Sequence, residues 1–545
     1  MKTTLLFRLV ILVVSFFCNA IFAQWSSVSY LNTAVCTATN SQQRPTQVSD
    51  GNGGSIMAWS DLRNGNDDIY LDRISADGLS MWGTGFVCNA ANSQGFPTII
   101  SDGSGGAIVV WIDLRNGIDY DIYAQKVNAS GTPQWTLGGF PVCTFTANQN
   151  APAIVSDGFG GAFISWTDQR TGSSSSDIYM QRILSNGVAQ FAANGFVISQ
   201  GLNKQQNPVM VNSNNGVIIA WEDNRNSATN WDIYAQVFNG SSLLGADVVI
   251  CNAANLQQFP QLIADGNQGA ILTWEDKRTD NAYNIYAQRL LSDGTINWAV
   301  NGIIVCNEVG YQVKPKIATD GNHGAIICWE DGRNTSNTGS DIFAQRINSN
   351  GVLIWDPAGL AISEITGNQS QPEITTDNAG GAIIAFLDNF SSPPFVDIYA
   401  QRIGSGGTNL WALGGEPICT TLEDQFQHKI IVTNTGSAIV CWTDNRNVAS
   451  DIFAQKINPN GSLTLANNSF ENIVFSIYPN PTANGNFSIK SQTAIQEVTA
   501  FDILGKQIDV EKNNDSYKIN ASTGIYTIKI IDDNGNSQIK KLILN

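Results

Sequence analysis

The chain has 545 residues, too many for one ordinary domain unless that domain is a repeat array. Its 46 acidic against 29 basic residues give a net charge of −17, and no basic stripe interrupts them, so a nucleic-acid partner is excluded. Fifty glycines, with Asn and Ser crowded between apolar runs, are the composition of many short strands joined by tight turns.

The first predicted element is a processing signal over residues 1–23. Lys2 and Arg8 lead into the apolar run Leu9–Phe17, and Ala23 precedes Gln24, with Ala20 the other candidate cleavage position. Phe17 is too bulky for a lipoprotein signal at Cys18. Beyond this segment no stretch approaches the ~18 continuous apolar residues of a membrane span. The expected mature chain is exported and has no transmembrane helix.

From residue 24 to about residue 466 one phrase recurs. Residues 111–127 read WIDLRNGIDYDIYAQKV, and aligned on the Trp the copies fall at Trp59, Trp111, Trp166, Trp221, Trp274, Trp329, Phe386 and Trp442, at intervals of 52 to 57 residues. For an all-β unit that period predicts a propeller, here of eight blades. Each unit parses into four strands. In the second copy these are Pro97–Ile100, the wholly apolar Ala107–Trp111, the alternating Asp121–Val127, and a fourth from Trp135 to Cys143. Glycine-rich turns such as Asp102–Gly106 separate the first two. The last copy lacks a full fourth strand, while Trp25 to Cys36 reads as a fourth strand without a blade. The N-terminal strand is therefore expected to complete the last blade and remove the exposed sheet edge.

An Arg stands at the same place in seven copies: Arg63, Arg115, Arg170, Arg225, Arg278, Arg333 and Arg446. A polar site and a local clasp both fit Trp-x-Asp-x-Arg…Asp. Sevenfold repetition favours the clasp, in which Arg115 ties Asp113 to Asp121. As an exposed pair it is worth ~0–1 kcal/mol, less than the ~1.5–3 kcal/mol of the buried Trp beside it.

These repeats resemble a class of bacterial and archaeal cell-surface propeller repeats that read W-x-D-x-R-N-G-x-x-D-I-Y. The resemblance covers about residues 37 to 460 and implies an architecture and a surface location, with no reaction attached. The sialidase-type S-x-D-x-G-x-T-W box does not occur.

Eight cysteines follow the signal. Cys36, Cys88, Cys143, Cys251, Cys306 and Cys419 share one repeat position and read as small buried hydrophobes. The equal 22-residue spacings Cys306–Cys328 and Cys419–Cys441 keep a bridged reading open. Asp50, Asp102, Asp157, Asp265 and Asp320 precede turn glycines. Turn chemistry explains them, and one Asp per turn supplies too few oxygens for calcium. The only histidines, His323 and His428, lie in different repeats, so no histidine metal site or Ser-His-Asp triad is expected. No metal or cofactor is expected.

The second-to-third turns should emerge with the inter-blade connections on one face, and they carry the variation between copies. The seventh copy departs most, with Phe386 for Trp and Phe390 for Arg. Phe390, Pro393, Pro394 and Phe395 are the candidate ligand-binding residues, an apolar face for a sugar or peptide. Folding of that loop onto its own blade, or packing of it against the C-terminal domain, is the competing reading.

After a linker, 467–472, residues 473–545 change rhythm and contain no Trp, which predicts a small immunoglobulin-like β-sandwich. Tyr478-Pro479-Asn480-Pro481, then Gly505-Lys506, Gly524 with Tyr526, and Lys541 near the end resemble the type A C-terminal sorting domain of type IX secretion substrates. That resemblance implies the type IX machinery as partner and a secreted or outer-membrane cell-surface location. The expected function is binding or adhesion on a propeller face, with a surface polysaccharide or protein as ligand. The alternative is an exported carbohydrate-active or other hydrolase with an asymmetric site on one face.

Overall fold

The second strand of every repeat is buried along its whole length, as in Ala107–Asp113, because neighbours cover both of its faces. In the computed structural model of the chain, the residues described are 25–172, 174–214, 216–227, 229–279, 282–389, 395–463, 476–491, 494–502, 506–513, 516–532 and 537–545. Phe390, Pro393, Pro394, Gly505, the signal over 1–23 and the linker 467–472 lie outside them. No α-helix occurs among the described residues, and none is long and apolar enough to cross a membrane. The chain divides into compact units, 1–465 and 466–545.

In the first unit the described residues form eight four-stranded antiparallel sheets. Seven take four consecutive strands each. The last joins Gln425–Val432, Ala438–Asp444 and Asp451–Ile457 to the N-terminal strand Thr33–Cys36, with Thr33 opposite Ala454. The innermost strands are Gln42–Ser49, Gln94–Ser101, Gln149–Ser156, Gln205–Ser213, Gln257–Ala264, Gln312–Thr319, Asn368–Thr376 and Gln425–Val432. They lie side by side in that order, and the last packs on the first, so the arrangement is the ring of a propeller. Apolar side chains fill each gap between successive sheets. Ile271, Ile285 and Cys306 of one sheet, for example, meet Ile327, Trp329 and Phe343 of the next.

Seven of the eight gaps also carry a polar clasp. The indole of Trp111 donates to Asp113 Oδ2 at 2.8 Å, and Arg115 donates to both oxygens, at 2.9 and 2.6 Å. The guanidinium lies 3.7 Å from the Tyr123 ring centre and reaches Cys88 of the preceding sheet at 3.2 Å. The expectation that Arg115 also ties Asp121 does not hold. Its fork is used by Asp113, and Asp121 is held instead by Asn116 at 3.2 Å. The value of an exposed pair does not apply either, since Asp113 is fully buried. Removing one partner of a buried bidentate pair costs ~3–5 kcal/mol, more than an exposed pair contributes.

In the seventh sheet the clasp is dismantled. Phe386 has no indole N–H, the sequence has Phe at the Arg position, and Ser363 replaces the cysteine. Asp388 is left buried with Oδ2 unpartnered, and Gln369 donates to Oδ1 at 3.2 Å. Burial pushes its carboxyl up to about 6, against that bond from Gln369.

The closing gap has its own staple. Trp135, Trp298, Trp355 and Trp411 each donate to a carbonyl in the next sheet's outer hairpin, at 3.0 to 3.2 Å. Trp25, from the N-terminus, makes the same bond from the last sheet to the first, to Ala76 O at 2.8 Å. Its ring sits over Gly78, whose φ is +84°, and a Cβ there would approach the indole to 3.2 Å.

In the second unit, two four-stranded sheets enclose one core. Phe487, Tyr517 and Ile519 of one sheet meet Tyr526, Ile528 and Leu542 of the other.

Two substitutions probe the ring. Trp25→Ala should cost about 3–5 kcal/mol, read as a lower midpoint in chemical denaturation. Phe386→Trp supplies Asp388 with an indole donor and should stabilise by about 1 kcal/mol at about pH 8. Since the raised carboxyl of Asp388 is neutral in the folded protein below about 6, that gain should shrink as the pH is lowered to about 4.5.

Candidate functional site: the axial mouth

Each innermost strand carries a β-bulge that turns one residue into the left-handed region. These residues are Arg44, Phe96, Ala151, Asn207, Phe259, Lys314, Gln371 and Gln427, with φ between +49° and +55°. Seven stand before proline and the eighth before His428. A left-handed non-glycine residue costs about 1 kcal/mol or more, and a bulge re-aims the side chain it carries. Here all eight belong to the innermost strands. Gln42 pairs with Asp61 and Gln94 with Asp113, so these strand starts share an end with the second-to-third turns.

The strained N–H groups find partners across the gap. Phe259 N–H donates to Glu222 at 2.8 Å, Lys314 N–H to Glu275 at 2.7 Å and Gln371 N–H to Glu330 at 3.3 Å. Asn207 N–H uses Thr167 Oγ1 at 3.0 Å. The acceptors occupy the x of Trp-x-Asp, a position that varies between repeats.

Two residues beyond each bulge the side chains are Thr46, Thr98, Ala153, Val209, Gln261, Lys316, Glu373 and Lys429. Glu373 is the only acid in this second row. Lys316 and Lys429 both bond its Oε1, at 3.0 and 2.5 Å. Burial alone would push Glu373 up, but Lys429 and then Lys316 outweigh it and hold the carboxyl at about 2. His428 is buried between these groups, which lowers it to about 4, and its Nε2 faces Ala385 O at 3.3 Å.

Two concavities meet at Gln371 and Glu373. One, of about 540 Å³, is lined by Arg44, Phe96, Thr98, Gln427, His428 and Lys429 among others. The second, of about 580 Å³, is lined by Phe259, Gln261, Glu275, Lys314, Lys316 and Glu373. Phe96 and Phe259 are 54% and 53% exposed, large apolar faces open at a polar mouth. Arg44 covers part of the Phe96 ring at 4.1 Å. Burial pushes Glu275 up to about 7, even against the N–H of Lys314. The second concavity thus holds two carboxyl groups with opposite charge states over the range from about 2 to about 7.

Of the four residues proposed from the seventh repeat, only Phe395 is described, and it is half-buried. Val396 beside it packs against the core of the neighbouring gap. The residues repeated from copy to copy do not build the mouth. Its signal is the residue before each proline and the x of Trp-x-Asp, which differ from copy to copy while the flanking residues do not. The turn aspartates are engaged as turn chemistry requires. Asp265 Oδ1 accepts the N–H groups of Asn267 and Gly269, and Oδ2 binds Arg289 at 2.7 Å. Among the described residues, no group of three or more His, Cys, Asp or Glu side chains is arranged to hold a metal ion.

In the second unit Tyr478, Pro479, Asn480, Pro481, Lys506 and Lys541 are exposed. Asn480 also clamps the last strand, donating to Lys541 O at 2.6 Å and accepting from Ile543 N–H at 2.9 Å. Tyr526 is core, its hydroxyl bonded to Ser522 O at 2.6 Å, and Gly524 begins the same strand.

Residues 476–545 match the model of the secretion system C-terminal sorting domain. The chain therefore ends in a type IX sorting domain, and the protein is exported to the cell surface or beyond it. No curated protein matches the chain. Among solved structures it is similar to a polysaccharide lyase, an ulvan lyase, at 10% identity and TM-score 0.45, over 82% of this chain and 99% of that one. It is also similar to an α-L-arabinanase of Penicillium chrysogenum at 12% identity and TM-score 0.36, over 59% and 97%. A putative TolB of Agrobacterium tumefaciens follows at 16% identity and TM-score 0.30, over 48% and 81%.

The Lys316–Glu373–Lys429 cluster can be tested by itself. Glu373→Gln should cost on the order of 1 kcal/mol at neutral pH, the groups being partly exposed. The carboxyl lies at about 2 in the fold against an ordinary 4.5. Its contribution is therefore present above the higher value and lost as the pH falls through the lower, so wild type and variant should converge there. Denaturation midpoints across that range check it.

Proposed function

We propose that the first unit, over residues 24–466, is an eight-bladed propeller and that residues 473–545 form an immunoglobulin-like sandwich. We infer further that the protein is an exported carbohydrate-active enzyme that takes a saccharide chain across the axial mouth. The observation that carries this reading is Glu275, a carboxyl pushed up to about 7, lining the same concavity as the ionised Glu373 and the exposed Phe259.

Sugar rings present C–H faces that pack on aromatic side chains and hydroxyls that pair with amides. Phe96 and Phe259 supply the first, and Gln261, Gln371 and Gln427 the second. At neutral pH Glu275 still carries its proton in a large share of molecules. In the proposed step that proton passes to the leaving glycosidic oxygen as the C–O bond breaks, a solvent water adds to the anomeric carbon, and the proton that water loses restores Glu275. Glu373 keeps Lys316 and Lys429 at the mouth.

A second reading, adhesion without cleavage, is favoured by one observation. Glu222 and Glu330 stand at the position of Glu275 and likewise accept a bulge N–H, which assigns Glu275 a scaffold role as well. One experiment separates the two. The mature protein is assayed for release of new chain ends from a panel of polysaccharides, and for pull-down by the same panel. Cleavage predicts that Glu275→Gln lowers kcat by about 10²–10⁴-fold while binding persists. It also predicts that kcat/KM falls as the pH rises through about 7, and that Phe259→Ala weakens binding. Pull-down that depends on Phe259 without chain-end release would leave adhesion as the function. No binding to any saccharide would remove both.

A further inference from the structure

We propose that the saccharide taken at the axial mouth is polyanionic, its carboxylate or sulfate groups seated by Arg44, Lys316 and Lys429; this rests on the saccharide reading above.

The argument is a local charge balance inside an acidic protein. The chain carries −17 overall, and in the first unit the arginines are consumed by the architecture. Arg63, Arg115, Arg170, Arg225, Arg278, Arg333 and Arg446 each bind the clasp aspartate. Arg73, Arg182, Arg289, Arg346 and Arg402 each bind a turn aspartate. Arg44 makes no ion pair among the described residues. It stands at a bulge, beside the mouth, against Phe96, and its field reaches Asp67 only at longer range.

The bulge row and the row behind it together hold the cations Arg44, Lys314, Lys316 and Lys429 against one acid, Glu373. From the neighbouring strands, Glu330 neutralises Lys314 at 2.9 Å, while Glu222 keeps its charge, held by the amides of Gln206 and Asn207 at 3.0 and 3.1 Å, and lines neither concavity. Glu275 is about half neutral at pH 7. Lys316 and Lys429 share a single oxygen of Glu373, so one positive charge there is uncompensated, and Arg44 adds another. Both concavities meet at that carboxylate. An arginine without a carboxylate and two ammoniums competing for one are groups whose donors an incoming anion can use. The exposed Phe96 lines one concavity with Arg44 and Lys429, and the exposed Phe259 lines the other with Lys316. A neutral glycan would leave those cations without use. A repeating uronate or sulfate ester would meet them beside the rings.

The test is binding of the mature protein, by calorimetry or affinity electrophoresis, to polygalacturonate, to a sulfated neutral backbone such as dextran sulfate, and to the matching neutral chains, dextran and arabinan. It is run at low salt and at roughly ten times that salt. The proposal expects a polyanion to bind at least about tenfold tighter than either neutral chain, with affinity falling as salt rises. It expects Arg44→Met and Lys429→Met each to lose about tenfold. Arg44→Met removes no ion pair, so it reports on the ligand even where Lys429→Met unfolds. Polygalacturonate alone would assign carboxylates; dextran sulfate alone would assign sulfates. Neutral chains that bind as tightly, with Phe259→Ala sensitivity and no effect of Arg44→Met, would overturn the charge inference and leave the saccharide reading standing. Binding of none would overturn both.

Discussion

The buried clasp aspartate is the constraint on which the rest of the ring depends. A carboxylate with no solvent contact is tolerable only when paired and hydrogen-bonded. Asp113 obtains its partners from the indole of its own strand, from the guanidinium of Arg115 two residues on, and from the backbone N–H of that same arginine at 2.9 Å. The guanidinium then continues past it to a cysteine of the preceding sheet. Each aspartate thereby fixes the end of its own hairpin and the gap behind it. Outside the seventh repeat, angle and separation between sheets are set by the same few bonds. The ring closes because the N-terminal strand brings Cys36 to Arg63 at 3.0 Å, giving the last gap the contact found in the others.

A scaffold made rigid by repetition leaves few positions within its sheets free to vary, and those of the innermost strands lie at the axis. A residue inside a gap faces two packed sheets, where a change of one methylene group is felt. The bulge residue faces open space on one side and is held by a backbone bond, so its side chain is unconstrained by packing. Arg, Phe, Ala, Asn, Lys and Gln all occur there. Eight blades that are nearly alike in their gaps thus produce a mouth that is not alike around its circumference. Asymmetry of the kind recognition needs arises where the fold demands least.

The four-strand rhythm and the all-β class were legible because they rest on period and on the alternation of buried positions, which a single sequence displays. The Trp-Asp-Arg clasp was legible as a clasp, since a constellation repeated seven times is poorly suited to be one active site. What it joins was not, because the contact with Cys88 crosses between repeats, joining residues 27 apart. The tail was legible from ordered motifs, and the exposure of Tyr478 to Pro481 with Asn480 pinning the last strand gives those residues a physical basis. The mouth was not read in advance. Weight fell on the seventh repeat's turn because it deviates most in sequence, whereas Arg44, Phe259, Glu275 and Glu373 deviate modestly and are brought together only by closure of the ring.

The cysteines show how position overrides a compositional rule. Exported chains with even cysteine counts are usually bridged, yet all eight here are free and buried. The six at the repeat position lie in different gaps, each fixed against its own clasp. There the thiol accepts from the arginine and, as at Cys251, donates to the aspartate at 3.7 Å. Burial raises Cys143, Cys251 and Cys419 to about 12, so the thiolate that oxidation requires is scarcely populated. A small group that can donate and accept in one place is what the position selects. Ser199 meets the same demand, accepting from Arg225 at 2.8 Å and donating to Asp247 at 2.7 Å. In the gap before the seventh sheet, whose arginine and tryptophan are both replaced, a serine of the sixth sheet, Ser363, stands at the cysteine position and bonds a carbonyl instead, Gly414 O at 3.5 Å. The cysteine position is thus coupled to the clasp and carries a thiol for its hydrogen-bonding capacity, independent of any redox role.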